Sequence, residues 1–198
     1  MSSESRSRAE LARILQPVLL EPAQAAALDV HGRTDAAVLV PLYENGGRLH
    51  VVLTERRHDL RRHAGEISFP GGRQDVDEED LRDTALREAR EEIGLPADAV
   101  RIVGALPPTP TIATSYAIYP FVGLIEAGHE WLPSDFEVAA VLEPALADLR
   151  TGHRRRRLLR AGLPIRSDTY VVGDRIVWGA TARILADLLA RVGRAGLE

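Results

Sequence analysis

The residues from Asp80 to Ile93, stopped by Gly94, can be satisfied only as a helix lying against something apolar. Ala85, Leu86, Ala89 and Ile93 recur at helical spacing and form one face. Glycine just past the last apolar position is an ordinary helix stop. Glu88 and Glu92 fall one turn apart on an adjacent edge with Glu91 beside them, so burying the apolar face carries three carboxylates to the rim of a core. Like charges at this spacing cost about 0.2–0.5 kcal/mol per pair. The edge therefore asks for a positive partner, and Arg87, Arg90 or a bound cation are the candidates. A charged helix edge is often no more than a solvated face. Here the turn Pro70-Gly71-Gly72 and a short acidic loop precede the helix, so backbone carbonyls and carboxylates can converge on one point. An oxygen-only donor set suits Mg²⁺ or Mn²⁺, and the lack of histidine in the helix argues against zinc.

An apolar helix face needs a sheet, and the flanking sequence supplies one. AAVLVPLY from Ala36, the turn Glu44-Asn45-Gly46-Gly47 and RLHVVLTERR read as a hairpin. VRIVGAL and YAIYPFVGLI read as two strands joined by PPTPTIATS, and TYVVGDRIVWG as a second hairpin. ATARILADLLARV is an amphipathic helix with Ile184, Leu185, Leu188, Leu189 and Val192 on one side. The stretch from Glu137 to Leu149 is expected to be helical, and the run Arg154–Arg157 to be a solvated loop. Strands and helices without strict alternation predict an α/β, layered domain over residues 35–198. Residues 1–34 read as a short helix (Leu11, Ile14, Leu15) and an Ala/Pro-rich connector appended to it.

Composition removes whole classes of chemistry. All 25 basic residues are arginine, so a phosphate loop built on lysine, Schiff-base chemistry and pyridoxal chemistry are excluded. The absence of cysteine excludes disulfides, thiolate zinc sites and a cysteine nucleophile. A net charge of −4 argues against a general nucleic-acid binder. With no apolar run long enough to span a bilayer and charges scattered through the N-terminus, a cytoplasmic chain without membrane or nucleic-acid partners is expected.

Gly72 to Leu95 resembles the Nudix box, Gly-x5-Glu-x7-Arg-Glu-U-x-Glu-Glu-x-Gly-U, where U is a larger aliphatic residue. REAREEIGL fits position by position, apart from the small Ala89. The first half is one residue longer: counting from Gly72 puts the middle glutamate at Glu78, and counting back from Arg87 puts it at Glu79. The resemblance implies a Nudix-type α/β/α sandwich with a mixed central sheet. It also implies divalent metals bound by Glu88, Glu91 and Glu92 with help from the Gly72 carbonyl, and an Arg87 that orients the carboxylates. Upstream, LTERRHDLRRHAGEISFPGG is similar to the extra signature of coenzyme A pyrophosphatases in this superfamily, with Leu53, Thr54, Arg56, Arg61, Gly65, Phe69, Pro70, Gly71 and Gly72 in place. Val52 and Arg57 depart from it, and VWGATARIL is also similar to those proteins.

By that resemblance Arg56, Arg61, Gly65 and Phe69 bind substrate, and the product pair is 4'-phosphopantetheine and adenosine 3',5'-bisphosphate. The residues agree in kind: Arg56, Arg57, Arg61 and Arg62 with His58 and His63 form a cationic stretch leading to the acidic site, and guanidinium forks suit phosphates. Glu137 is the candidate general base or additional ligand, while the loop holding Ser115 and Tyr116 reads first as a proline-stiffened connector and second as a source of substrate contacts. The expected partner is a small-molecule nucleotide, with the chain a monomer or homodimer. Rival readings are a Nudix hydrolase of ADP-ribose, NADH or nucleoside triphosphates, and a non-catalytic nucleotide sensor.

Overall fold

A period-two pattern in one long strand divides the protein into layers. The computed structural model describes residues 6–28, 30–60, 63–75, 80–111, 115–160 and 163–197. Strand β1 (Thr34–Asn45) buries Ala37, Leu39 and Tyr43 on one face and Val40 and Leu42 on the other. Helices α1 (Arg8–Leu15) and α2 (Pro22–Ala26) precede it. Strands β2 (Arg48–Val51), β3 (Leu53–Arg56), β4 (Ile67–Ser68) and β5 (Gly71–Arg73) follow, and then α3 (Leu81–Ile93). Next come β6 (Arg101–Ala105), β7 (Thr109–Pro110), β8 (Tyr116–Leu124), β9 (Val138–Leu142) and α4 (Leu146–Gly152). The chain closes with β10 (Arg154–Arg160), β11 (Leu163–Val172), β12 (Arg175–Val177) and α5 (Gly179–Arg194).

The central sheet has the order β2-β1-β8-β6, with β5 added to β1 and β7 to β8. It is mixed, because β1 and β8 run parallel while the other pairs are antiparallel. Helix α3 lays Ala85, Ala89 and Ile93 against Ala37, Leu39 and Phe121 on one side. Leu11 and Leu15 of α1, Leu149 of α4 and Leu185 and Leu188 of α5 pack with Val40, Leu42 and Val122 on the other. Each fully buried leucine of this kind contributes about 1.5–3 kcal/mol. The arrangement is the expected α/β/α sandwich with a mixed sheet. A second small sheet, β4-β3-β9, carries Thr54 and Arg56 toward the α3 layer, and a third, β10-β11-β12, stands beside α5.

Three local expectations change. The stretch from Glu137 to Leu149 is not one helix: Val138–Leu142 is strand β9, paired antiparallel with β3, and only Leu146 onward turns helical. The unpaired edge of β3 outweighs the helical preference of the alanines and leucines, and Pro144 separates the two elements. Arg154–Arg157 is strand rather than loop. The N-terminal segment is built into the same core: Leu11, Ala12 and Leu15 are buried with α5, Leu20 bridges to Ala105, and Arg6 holds Glu44 through its backbone N–H (2.7 Å) and Nη1 (3.1 Å). Among the described residues no helix is long and apolar enough to cross a membrane.

Candidate active site

The turn before α3 sets the site. Gly71 has φ of 155°, and a Cβ there would lie 2.3 Å from the Ala37 carbonyl oxygen, so only glycine lets β5 approach β1 this closely. That approach points the Gly71 N–H at α3, where it donates to Glu92 Oε2 at 3.2 Å. Gly72 is equally constrained from the other side, because a Cβ on it would lie 2.5 Å from the Glu88 carboxyl carbon. Asp80 caps the helix by accepting from the Arg82 N–H at 2.8 Å, and Gly94 ends it with φ of 72°.

The carboxylates are graded in burial. Glu92 is 5% exposed, and burial pushes its carboxyl up to about 8, with further upward pressure from Glu88 and Glu137. The Gly71 N–H and the Arg56 guanidinium oppose that shift without cancelling it. Glu88 is half-buried and also raised, first by desolvation and then by Glu91 and Glu137, against the lowering influence of Arg87. Glu91 reaches solvent. Arg87 Nη1 donates to Glu88 Oε1 at 2.9 Å and Glu91 Oε2 at 3.4 Å, while Nη2 donates to the Arg73 carbonyl at 3.4 Å and stands 3.7 Å from Asp75. From the opposite side Arg56 Nη1 donates to Glu137 Oε2 at 3.3 Å and stands 3.8 Å from Glu92 Oε1. Its Nε is buried with no hydrogen-bond partner among the described residues.

Arg56, Arg87, Glu88, Glu91, Glu92 and Glu137 are thus brought together around the Gly71-Gly72 turn. Gly65 and Phe69 are placed otherwise. Phe69 is 2% exposed within the main core, so its side chain is scaffold and is not offered to a ligand. Gly65 takes a left-handed turn (φ 69°), donates to the Arg56 carbonyl at 3.2 Å and leaves room for the His58 ring. Arg61 lies outside the described residues, as do Arg62, Glu78, Glu79 and residues 112–114 of the proline-rich loop. Ser115 and Tyr116 serve local ties: the Ser115 carbonyl accepts from Arg33 N, and Tyr116 N donates to Thr111 Oγ1 at 2.8 Å.

Two contributors to the site were not assigned these places from sequence, although Arg57 was read as part of the cationic stretch. Arg57 clamps Asp59 with two hydrogen bonds (2.9 and 2.8 Å), donates to the Asp135 carbonyl, and gives its backbone N–H to the Glu137 carbonyl at 2.9 Å. It therefore holds the turn that presents Glu137. Ser134 N donates to the Glu92 carbonyl at 2.8 Å, tying the same turn to the end of α3. The ties of Arg57 to Asp135 and Glu137, and of Ser134 to Glu92, have no local sequence signal, since they join segments far apart in the chain.

Among the described residues no three histidine or acidic side chains are arranged to hold an ion, and two guanidiniums stand among the carboxylates. The donor set nevertheless fits a hard divalent cation: it is all oxygen, partly desolvated and mutually repelling, and positive charge would relieve the upward shifts of both Glu88 and Glu92.

This sandwich is shared with solved structures of other proteins. The fold aligns with a MutT/nudix family protein from Enterococcus faecalis (TM-score 0.57, 15% identity, 96% of this chain and 75% of that one). It also aligns with a C. elegans Ap4A hydrolase (TM-score 0.55, 15% identity, 81% and 98%). A sequence profile of the NUDIX domain matches residues 33–161. The chain is 36% identical over 172 residues to an uncharacterized Nudix hydrolase, NudL, of Citrobacter koseri, covering 81% of this chain and 84% of the relative. To the NudL of Salmonella paratyphi B it is 38% identical over 160 residues, covering 80% and 82%. The chain belongs to the Nudix family, whose hydrolases generally use divalent metal ions.

Proposed function

We propose that this Nudix hydrolase cleaves the diphosphate of coenzyme A or a derivative, releasing 4'-phosphopantetheine and adenosine 3',5'-bisphosphate. The observation that carries the reading is Arg56: the arginine of the upstream signature reaches the carboxylate helix, with Nη1 at 3.3 Å from Glu137 and 3.8 Å from Glu92. A guanidinium there can take a phosphate oxygen of the substrate, and its Nε, buried without a partner among the described residues, is a further donor on the edge away from Nη1. Glu88, Glu91 and Glu92, with the Gly72 carbonyl, are the residues to hold Mg²⁺ or Mn²⁺. Bound there, the metal supplies charge neutralisation on the phosphoryl oxygens and a more acidic water. Arg87 keeps Glu88 and Glu91 oriented through its two hydrogen bonds. Glu137, half-exposed on its turn, is the group to accept a proton from the attacking water. Arg61 completes the phosphate-binding set by resemblance alone, and Gly65 and Phe69 serve it as scaffold. The chain acts as a monomer or homodimer on a small nucleotide in the cytoplasm.

Incubating the full chain with coenzyme A, ADP-ribose and NADH, with and without Mg²⁺ or Mn²⁺, and resolving products by chromatography tests this. Metal-dependent release of adenosine 3',5'-bisphosphate faster than cleavage of the competitors is expected. Preferential cleavage of another diphosphate would refute the substrate while leaving the chemistry, and binding without hydrolysis of any of them would refute both.

A further inference from the structure

Beside the carboxylate helix one large apolar side chain is left in water. Phe136 is 84% exposed, more than Leu28, Leu132 or Ile176, the other exposed large hydrophobics among the described residues. A single apolar side chain on a surface is ordinary by itself. Leu132, though exposed, lies against Gly94 where α3 ends, so it has a place in the packing. Phe136 belongs to neither core cluster and makes no ring contact among the described residues. What sets it apart is the backbone that carries it.

That backbone is pinned on both sides of the ring. Ser134 N–H donates to the Glu92 carbonyl at 2.8 Å, and the Ser134 carbonyl accepts from the N–H groups of Glu137 (3.2 Å) and Val138 (2.9 Å). Arg57 holds the other side, giving its backbone N–H to the Glu137 carbonyl at 2.9 Å and its guanidinium to the Asp135 carbonyl. Consecutive Cα atoms are about 3.8 Å apart, so the ring is anchored one step from Glu137, whose carboxylate meets Arg56 at 3.3 Å. A turn fixed in this way offers the ring at a set place beside the site, with only its two side-chain torsions left to order. Most of the ordering cost of a contact is met before a ligand arrives.

Charge decides what the ring can take. Its neighbours Asp135 and Glu137 are both exposed acids, so a phosphate or any other anion is repelled from this position. The guanidiniums that suit phosphates, Arg56 and Arg87, stand among the carboxylates instead. A nucleotide divides in the same way, into an anionic diphosphate and an uncharged, flat base. We propose that the base of the nucleotide substrate stacks on Phe136 while its diphosphate lies toward Arg56, an assignment that rests on the nucleotide-diphosphate reading above but not on which nucleotide is cleaved. Every base has a π-face, so a bare phenylalanine ring distinguishes substrates that carry a base from those that do not, and leaves the choice among bases to other groups.

The test is calorimetric titration of the full chain, in Mg²⁺, with two probes that resist hydrolysis: α,β-methylene-ADP, and methylenediphosphonate, which is the same diphosphonate without ribose and base. Phe136→Ala should weaken the nucleotide about 5- to 150-fold, the range of one base–aromatic stack, and leave methylenediphosphonate unchanged. Phe136→Tyr and Phe136→Trp should keep the nucleotide affinity, and all three variants should melt where the wild type does, because the ring covers no core. Nucleotide binding that ignores Phe136→Ala overturns the stacking and leaves the nucleotide reading standing. Equal weakening of both probes overturns it too, since the ring would then act only by shaping the turn that presents Glu137. A wild-type chain that binds methylenediphosphonate but not the nucleotide, or that binds neither, overturns the stacking and the nucleotide reading together. An oligomeric state that Phe136→Ala changes, with nucleotide affinity intact, would make the ring a contact between copies of the chain instead.

Discussion

Glu92→Gln isolates the electrostatic strain at the carboxylate helix, because it removes the charge while keeping the shape and the acceptor for the Gly71 N–H. Glu92 is 5% exposed and its carboxyl is raised from 4.5 to about 8 by burial. A raised acid is a cost to folding that is absent below the unfolded value, where both states are protonated. It grows as pH rises, because only the unfolded chain releases its proton easily, and it is complete above about 8. Integrating that linkage gives about 1 kcal/mol at pH 5 and about 3 kcal/mol at pH 7. In the presence of excess chelator, the variant should therefore be more stable than the wild type by about 3 kcal/mol at pH 7, equivalent to roughly 6–12 °C for a domain of this size. The advantage should shrink to about a third of that at pH 5. Urea unfolding at the two pH values measures it through the shift in midpoint at constant slope. Adding Mg²⁺ or Mn²⁺ should raise the wild type toward or past the variant, since a cation that binds only the folded state lowers its free energy. A variant less stable than wild type in chelator at pH 7, or an advantage independent of pH, would refute the reasoning.

Further substitutions test neighbouring links. Glu88→Gln should nearly abolish hydrolysis while leaving the circular dichroism spectrum intact; loss of the spectrum would make Glu88 structural instead. Gly71→Ala places a methyl 2.3 Å from the Ala37 carbonyl at a φ of 155°, and should cost at least about 2–3 kcal/mol in urea unfolding. Arg56→Ala removes the cation facing Glu92 and Glu137, so the KM for substrate should rise by tenfold or more, as expected from losing about 1.5–3 kcal/mol of charged hydrogen bonding, while thermal stability changes little. Arg175→Met leaves the buried Glu55 without the donor at 2.9 Å and with the exposed His58 as its other ion-pair partner among the described residues, which should cost about 2 kcal/mol in urea unfolding at pH 7.

Much of the fold was legible because its decisive elements carry their period within themselves. Strand β1 alternates between two cores, α3 and α5 repeat at helical spacing, and Gly94 and the Asn45-Gly46-Gly47 turn mark ends. Elements whose partner is distant were not legible. Val138–Leu142 becomes a strand because β3 offers it an edge. Arg154–Arg157 was hidden for another reason: its partners Arg166–Thr169 are close in sequence, but four successive arginines carry no apolar alternation to mark a strand. The N-terminal helix gave its apolar face to the sequence reader, but not the knowledge that α5 lies beneath it.

At the site, helical geometry was enough to gather Glu88, Glu91 and Glu92 on one edge, yet it ranks them equally, and the structure does not. What separates them is where the Gly71-Gly72 turn lands. It falls on the side of α3 that also faces the sheet, so Glu92 is enclosed, Glu88 is half covered and Glu91 is left in solvent. The same placement explains why two arginines are found among the acids. The Glu88, Glu91, Glu92 and Glu137 carboxylates repel one another, and a desolvated, hydrogen-bonded guanidinium is the one strong cation this lysine-free chain can send to them. Arg87 comes from the helix itself and can stay where it is, holding Glu88 and Glu91 from outside. Arg56 comes from β3, reaches Glu137 and approaches Glu92 at only 3.8 Å, and its Nε has no partner among the described residues. It is held less completely than Arg87, so a divalent ion that neutralised the acids would free it to bind a phosphate. Metal and substrate binding should therefore be coupled through Arg56, and that coupling rests on its position on β3 rather than on the helix.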